Sequence, residues 1–495
     1  MRKAILLLTV LLTLGTTAAF AQAWRSETAV RALQEEHSRA GNNLNSYEFF
    51  PIYDTPAPKG YKPVYISHYG RHGSRSNWGG KAYNNVIGIL EAAQQEDLLT
   101  PAGEMLLQGA RDVLAGWDGM DGRLSQRGAR EHAAIAERMY KRYPGVFKGE
   151  KNARAFSSTV QRCIISMNSF TNSLVRQNPR MQIRLDTGEK FMDYLDNEKG
   201  WERMTARAMR KSYEWLRDVP DDSLGVLSTV FTDPVAARKF VKSARQFTSD
   251  VYDTAVVAED FDIEEDLYSV LPFDAIYRRW AQNNMFLYLG HCNSVEVGME
   301  RVPMAKSLVE DIVTKADEAL SKGNYAADFR FGHDYPLMAL ASYLGVEGVG
   351  ERLEVGEICQ KWFGFWNICM ASNLQMVFYR NKAGHVLVKF LYQEQERSSA
   401  VSIRLWVRTT TGRPSRPTSK ATSGETPADH HLLLAPDRRF GGPALGEVQQ
   451  VSSGIRLAAG DLHARESRAA GDRRKPACGH PRLRRGRQDP DHRAL

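Results

Sequence analysis

Apolar runs of strand length alternate with amphipathic helical patterns from about residue 60 to 396. Val64, Tyr65 and Ile66 stand together in a strand predicted at 62–67, as expected for a parallel strand buried on both faces. Further strands are predicted at 152–157, 328–332, 376–380 and 386–392. Helical patterns are found at about 80–97, from Leu124 to Tyr143, at 158–176 and at 336–344. This order predicts an α/β fold with a mostly parallel central sheet flanked by helices.

Residues 186–322 interrupt the pattern, because they look mostly helical and carry many charged and aromatic side chains. We interpret them as an inserted, mainly helical cap domain. The two parts of the α/β core would then be residues 24–185 and 323–396.

The N terminus has the three parts of a signal peptide. Arg2 and Lys3 precede a short apolar run, and small residues follow, so residues 1–23 are predicted to be removed after Ala21 or Ala23. The run is too short to anchor the chain in a bilayer, and no cysteine stands at the exit for lipid attachment. We therefore predict a periplasmic or secreted protein with no stable membrane anchor.

Charge and composition change at residue 397. Residues 397–495 hold 19 Lys and Arg against 9 Asp and Glu, whereas the rest of the chain holds 47 against 49. The rest is thus nearly neutral, and nothing in it predicts a nucleic-acid partner. The atypical basic tail is either disordered or translated out of frame. We favour the second, because codons for residues 406–412 can be chosen so that another frame encodes Gly-Pro-Tyr-Tyr-His-Trp.

Five cysteines are present, and an exported protein could oxidise a pair of them. Cys359 and Cys369 are the nearest pair in sequence, but the pairing stays open. Since no C-x-x-C occurs, a zinc cluster is not expected.

The strongest chemical signal is Arg71-His72-Gly73-Ser74-Arg75, directly after the first predicted strand. Two guanidinium groups flank an imidazole, and the planar, multi-donor arginine side chain suits the oxygens of a phosphate. Gly73 lets the backbone approach a ligand closely. A histidine in this position could attack phosphorus and carry the phosphoryl group.

This stretch resembles the Arg-His-Gly-x-Arg signature of the histidine phosphatase superfamily, in the acid phosphatase branch that includes phytases and multiple inositol polyphosphate phosphatases. Residues 154–162 are similar to the second arginine block of that family, and Phe331-Gly332-His333-Asp334 resembles its late His-Asp motif. The segment from Leu124 to Tyr143 resembles a helix of the same family. The resemblance covers about 60–395 and implies a phosphoglycerate mutase-like α/β fold with a helical cap.

The resemblance also implies roles for the matching residues. His72 would be the nucleophile, and Asp334 would protonate the leaving oxygen. The phosphate would be bound by Arg71, Arg75, Arg154 and His333. Arg162 is interpreted as structural. The implied activity is hydrolysis of a small-molecule phosphomonoester through a phosphohistidine, with no metal and no cofactor.

Elementary chemistry agrees with these roles. An alkoxide leaves phosphorus poorly, so a carboxylic acid beside it lowers the barrier. Cationic neighbours depress the pKa of His72, which keeps its lone pair available. Mildly acidic conditions would favour a protonated Asp334.

Two departures from the family leave the substrate open. Asn77 stands where the family often has proline, and His333-Asp334 replaces the His-Ala-Glu usual in inositol polyphosphate phosphatases, which is closer to acid phosphatases and bacterial phytases. Basic residues of the cap could receive a highly phosphorylated inositol, although a solvated helix face is the favoured interpretation. They are Lys190, Arg203, Arg207 and Lys211. The oligomeric state is not predicted.

Three other functions fit these residues less well. A non-catalytic phosphate-binding module on the same fold would have no use for a proton donor such as Asp334. A metallohydrolase could use His68 and His72, which are four residues apart, but two glycines and a predicted strand replace the helix that this spacing needs. A phosphotransfer mutase would suit the cytoplasm, against the signal peptide.

Overall fold

The computed structural model describes residues 25–52, 54–197, 201–216, 223–406 and 433–436. Within these ranges the strands form one sheet. They are β1 (Lys62–Arg71), β2 (Lys151–Ser157), β3 (Met181–Thr187), β4 (Ala327–Gly332), β5 (Asn373–Arg380), β6 (His385–Tyr392), β7 (Gln395–Arg397), β8 (Val401–Trp406) and β9 (Leu433–Pro436).

The α-helices of the same ranges include every helix predicted from the sequence between residues 80 and 344. They are α1 (Glu27–Glu35), α2 (Lys81–Gln94), α3 (Pro101–Trp117), α4 (Gln126–Arg142), α5 (Pro144–Phe147), α6 (Gln161–Gln177), α7 (Met192–Leu195), α8 (Trp201–Leu216), α9 (Gly225–Val230), α10 (Ala244–Ala255), α11 (Phe273–His291), α12 (Gly298–Arg301), α13 (Lys306–Lys322), α14 (Asp334–Tyr343), α15 (Val355–Lys361) and α16 (Gly364–Asn367).

The strand order is β3-β2-β4-β1-β5-β6-β8-β9, with β7 paired to β6. The strands from β3 to β1 in this order are parallel, whereas β5 to β9 pair antiparallel. The predicted α/β fold is confirmed, and its sheet is mixed because antiparallel strands extend the parallel half.

The register brings three strand ends to one edge of the sheet. Arg71 of β1 pairs with Gly332 of β4, and Ser157 of β2 pairs with Phe331 of β4. Because parallel strands end on the same side, the residues that follow β1, β2 and β4 lie together. His72 and His333 are two of those residues.

The two faces of the parallel half differ in chemistry. On one face, Phe329 and Phe331 of β4 pack with Phe170 of α6, and α4 packs against α6. On the other face, Arg330 of β4 forms an ion pair with Asp311 of α13 at 2.7 Å. The alternation of side chains along a strand separates the two sets.

The helical region predicted as a cap contains α7 to α13, and between β3 and β4 the described residues add no strand to the sheet. This helical region also packs with helices from the first part of the chain, because α2 and α3 contact α10. Helix α13 lies inside the predicted cap, which ended at residue 322, and it packs against β1 of the sheet. The predicted division into a core and an inserted cap stays a prediction.

Helix α3 and strand β3 are among the elements that were missed from the sequence. Helix α3 has ordinary start signals, since Thr100 accepts a hydrogen bond from the amide of Gly103 and proline follows it. Strand β3 is a partly exposed edge strand with no continuous apolar run. Its pairing with β2, a long-range interaction, makes it a strand.

The predicted signal peptide lies outside the described residues, as does most of the tail apart from 397–406 and 433–436. In the described part of the chain, no helix is both long and apolar enough to cross a membrane. The four cysteines described there are buried and unpaired, so the possible Cys359–Cys369 disulfide is not formed.

Candidate active site

The backbone of His72 is fixed between the ends of two strands. Its amide donates to the carbonyl of Gly332 at 3.0 Å, and its own carbonyl accepts from the amide of Ala371 at 2.9 Å. One residue earlier, the amide of Arg71 donates to the carbonyl of Ser372 at 2.9 Å. These bonds extend the pairing of β1 with β4 and β5 past the strand end, so His72 is held rigidly.

Glycine is required where the loop after His72 meets the start of α4. A Cβ atom on Gly73 would lie 2.5 Å from the carbonyl oxygen of Gly128, and one on Gly128 would lie 2.3 Å from the carbonyl oxygen of Ser74. Glu131 of α4 then accepts hydrogen bonds from the amide of Ser74 at 2.8 Å and from its hydroxyl at 2.7 Å. The Leu-Ser-Gln-Arg-Gly stretch at 124–128 therefore packs directly against the loop that follows His72 and helps to fix its conformation.

The imidazole of His72 is buried and has a defined tautomer. Its Nδ1 atom lies 3.0 Å from the carbonyl oxygen of Gly73, which can only accept, so Nδ1 carries the hydrogen. The lone pair is then on Nε2. Burial, reinforced by Arg71 and Arg162, holds the pKa of His72 well below its usual value. The imidazole is therefore neutral, with an available lone pair on Nε2.

Three buried guanidinium groups surround this imidazole, from Arg71, Arg75 and Arg162. Burial and mutual repulsion lower the pKa of Arg75 to about 10 and also lower the pKa of Arg162. Among the described residues, the Nε atom of each has no hydrogen-bond partner. Buried donors without partners are costly, and an oxyanion would satisfy them. The cluster is therefore built for an anion.

His333 closes the cluster from the end of β4. Its ring centroid is 5.6 Å from that of His72, and its Nδ1 atom lies 3.3 Å from a guanidinium nitrogen of Arg162. A guanidinium only donates, so Nδ1 accepts, and Nε2 faces the hydroxyl of Ser158 at 3.2 Å. Burial and Arg162 lower the pKa of His333 to about 3. An arriving phosphate would raise that pKa and favour the imidazolium.

Asp334 is the first residue of α14 and faces Arg71, with Oδ2 at 3.2 Å from a guanidinium nitrogen. The side-chain amide of Asn43 donates to the same oxygen at 2.8 Å. Burial would raise the pKa of Asp334, but Arg71 and Asn43 outweigh it and hold the pKa below its usual value. Asn43 comes from the N-terminal lead-in and carried no sequence signal that pointed to the site.

Arg154 does not join the cluster, contrary to the sequence-based assignment. It lies in the middle of β2, three residues and about 10 Å before the strand end at Ser157. Its Nε atom is 2.6 Å from a carboxylate oxygen of Asp328, and Nη1 is 2.7 Å from Glu318. Asp328 is on the polar face of β4 and Glu318 is on α13, so Arg154 belongs to the ion pairs that join the sheet to α13.

Arg162 lies in the place that had been expected for Arg154, so Arg162, and not Arg154, joins the cluster around His72. It is the second residue of α6, and this helix starts just after β2 ends. A residue in that position lies at the carboxyl edge of the sheet, where the ends of β1 and β4 also lie. The strand predicted at 152–157 already ends where β2 ends, so the distance of each arginine from that end would have favoured Arg162 over Arg154.

His68 does not share a site with His72. It is fully buried in the middle of β1, with its ring centroid 5.0 Å from Phe170 and 5.3 Å from Phe331. Four residues along a strand span about 13 Å, too far for two ligands of one metal ion.

The basic residues singled out in the cap all form ion pairs near the surface, which agrees with their interpretation as a solvated helix face. The pairs are Lys190 with Asp186, Arg203 and Arg207 with Glu300, and Lys211 with Glu214.

A histidine with a free lone pair among buried arginines, at the carboxyl edge of an α/β sheet, is an arrangement that suits a phosphomonoesterase. The family profile "Histidine phosphatase superfamily (branch 2)" matches residues 70–405 of the chain. Since this match covers more than half of its length, the chain belongs to that family. The predicted enzyme class, a phosphomonoesterase, is confirmed at this level. No curated protein sequence matches the chain.

Solved structures share the fold. The Bifidobacterium longum multiple inositol polyphosphate phosphatase in complex with inositol hexasulfate has a TM-score of 0.61 at 18% identity, covering 73% of this chain and 93% of that one. The phytase from D. castellii has a TM-score of 0.50 at 12% identity, covering 72% and 79%. At such low identity these likenesses show the fold alone.

The buried histidines predict that the fold loses stability in acid. Burial lowers the pKa of His132 to about 3, whereas an unfolded histidine titrates near pH 6.5. Below pH 6.5 the unfolded chain binds more protons, so the free energy of unfolding falls as the pH falls. Between pH 7 and 5, His132 alone should remove about 2 kcal/mol.

Denaturant unfolding of wild type and His132→Gln at both pH values, in phosphate-free buffer, measures this contribution. The pH dependence should be weaker in the variant by about that amount. His385→Gln, at an exposed position, is the matched control. Equal pH dependence in all three proteins would contradict the prediction.

Proposed function

We propose that this chain hydrolyses phosphomonoesters by transferring the phosphoryl group first to Nε2 of His72 and then to water. The observation that carries the proposal is the hydrogen bond from Nδ1 of His72 to the carbonyl of Gly73, which leaves Nε2 unprotonated inside the arginine cluster. A site that only bound phosphate would need donors and would gain nothing from this lone pair.

The first step forms the Nε2–phosphorus bond and breaks the bond to the leaving oxygen. Arg71, Arg75, Arg162 and His333 hold the non-bridging oxygens and offset their charge. The leaving oxygen takes the bond electrons and a proton from Asp334. In the second step Asp334 accepts a proton from water as the water attacks phosphorus, and His72 regains its lone pair.

Asp334 is ionised in the free enzyme, because Arg71 pairs with it at 3.2 Å. A bound phosphate competes for Arg71 and brings negative charge close to the carboxylate, and both effects raise the pKa of Asp334. Substrate binding thus converts the carboxylate into the acid that the first step needs. Mildly acidic solution supports the same change.

Inositol phosphates are the substrate class that we propose first, with other small phosphomonoesters as the alternative. The support is the shared fold of the inositol polyphosphate phosphatase and the phytase. Export through cleavage of residues 1–23 is part of the proposal and rests on the sequence. N-terminal sequencing of the mature protein tests it, with a start at residue 22 or 24 expected.

Phosphate release at pH 4.5–6 from phytate, glucose 1-phosphate and a chromogenic monoester, in the presence of EDTA, tests the activity. Turnover is expected with EDTA present, and the ranking of substrates selects between the two substrate classes. A folded protein that releases no phosphate from any of the three would contradict the proposal.

Replacement of Asp334 by Asn should slow the enzyme in proportion to the difficulty of the leaving group. For an alkyl phosphate we expect kcat to fall by roughly 10²–10⁴-fold, the range for a lost general acid. For p-nitrophenyl phosphate the first step needs no proton, so its burst should be nearly unaffected. Rapid-quench measurement of both substrates checks this, and equal slowing of the two first steps would contradict the role of Asp334.

A further inference from the structure

The indole of Trp78 is an exposed apolar group beside the arginine cluster. Its side chain is 60% exposed, although an exposed tryptophan is unusual. The guanidinium carbon of Arg75 lies 5.0 Å from the ring centroid, and that of Arg162 lies 4.7 Å from it. Trp78 therefore covers two of the three arginines of the phosphate cluster.

The backbone fixes this ring firmly. The side-chain oxygen of Asn77 accepts a hydrogen bond from the amide of Trp78 at 3.0 Å, and the carbonyl of Asn77 accepts from the amide of Gly122 at 2.9 Å. A Cβ atom on Gly122 would lie 2.6 Å from the indole, so the chain there passes directly against the ring. Asn77, the departure from the family's proline, thus helps to hold Trp78.

Stacking on guanidinium groups uses only part of the indole. Cation–π contact would stabilise the two arginines, which repel each other. That role does not require the rest of the ring to face solvent, which has an unfavourable free energy. The exposed part is therefore available for a ligand.

The position of the indole ring of Trp78 determines which part of a bound ligand it would contact. His72, Arg71 and Arg75 are almost fully buried, so a phosphoryl group bound there is enclosed. The organic part of the substrate must project outward from the arginines. Trp78 is the exposed apolar group that contacts those arginines, and so it borders the path of the leaving group.

We infer that Trp78 is a specificity-determining residue that provides a flat platform for a ring-shaped leaving group. The inference rests on the proposed function and narrows its substrates to esters of a cyclic alcohol. The carbon face of a six-membered ring can lie flat on an indole, and a rigid ring loses little conformational entropy on binding. An acyclic alcohol offers no such face and loses more entropy.

Two secondary-alcohol esters provide a matched comparison, myo-inositol 1-phosphate with a ring and glycerol 2-phosphate without one. Calorimetric binding in the His72→Ala background, which prevents turnover, gives the affinity of each ester and of inorganic phosphate. Trp78→Ala should weaken the inositol ester roughly tenfold. Glycerol 2-phosphate and phosphate should change less than about threefold, and Trp78→Phe should restore most of the loss.

Phe49→Ala is the matched control, since Phe49 is also exposed, at 47%, and stacks at 4.4 Å on Arg138. It should change the affinity of none of the three ligands. An equal loss for all three in Trp78→Ala would show that the indole only positions the arginines, and no loss would show that it has no role; either result overturns the inference. Failure of the proposed function is seen separately, as absence of phosphate release by wild type.

Discussion

Replacement of His72 by Ala should abolish turnover, with kcat/KM reduced by roughly 10⁴-fold or more for every phosphomonoester. The change removes the only atom that forms a bond to phosphorus in the first step. Asp334, which could otherwise activate a water, must be protonated in that step to serve as the acid for the leaving oxygen. The loss should be the same for good and poor leaving groups, in contrast to Asp334→Asn. Steady-state phosphate release with both substrate types measures it.

The fold should survive this change. The backbone bonds of His72 to Gly332 and Ala371 do not involve the ring. The variant should therefore still bind inorganic phosphate, which separates loss of chemistry from loss of the site. A His72→Ala protein that retains a substantial fraction of wild-type kcat would remove His72 from the mechanism.

The second large effect distinguishes two arginines that the sequence alone confused. Arg162→Ala should lower kcat/KM by roughly 10²–10³-fold, because it removes a donor that stabilises charge in the transition state. Arg162→Lys should restore only part of the activity, since lysine lacks the planar fork. The free energy of unfolding of Arg162→Ala should change little, because removing one arginine relieves the repulsion among the three.

Arg154→Ala should behave in the opposite way. It would leave Asp328 buried with its main ion partner missing, and breaking a buried pair costs about 3–5 kcal/mol of stability. The kcat of the remaining folded protein should stay near the wild-type value. Paired measurement of kcat/KM and of denaturant midpoints for both variants checks the assignment. Loss of kcat in Arg154→Ala at full stability would return Arg154 to the site.

The main features of the fold followed from the sequence, because strand and helix patterns in the core are local and strong. The strand at 62–67, the hairpin at 376–392 and the helix after His333 were all found from apolar periodicity. The edge strand β3 and the packing of α2 and α3 with α10 were not, since both depend on contacts between segments far apart in the chain.

The site was predictable where a motif fixes both residue and position. The placements of His72, His333 and Asp334 at the ends of β1 and β4 agree with the predicted positions. Arg154 and Arg162 differ by eight residues within one matching block, and only the end of β2 decides which reaches the cluster. Asn43 and Trp78 came from outside the interpreted motifs, and their roles depend on tertiary contacts.

The central claim is a phosphohistidine on His72, and the most direct test is to trap it. Wild type and Asp334→Asn would be mixed with p-nitrophenyl phosphate, quenched in alkali, where phosphohistidine survives, and digested for peptide mass spectrometry. The account predicts one phosphoryl group on the peptide containing His72, in larger amount in Asp334→Asn because its second step is slower. A phosphoryl group on His333 or on any other residue would contradict it, as would full turnover by an enzyme in which His72 is never labelled.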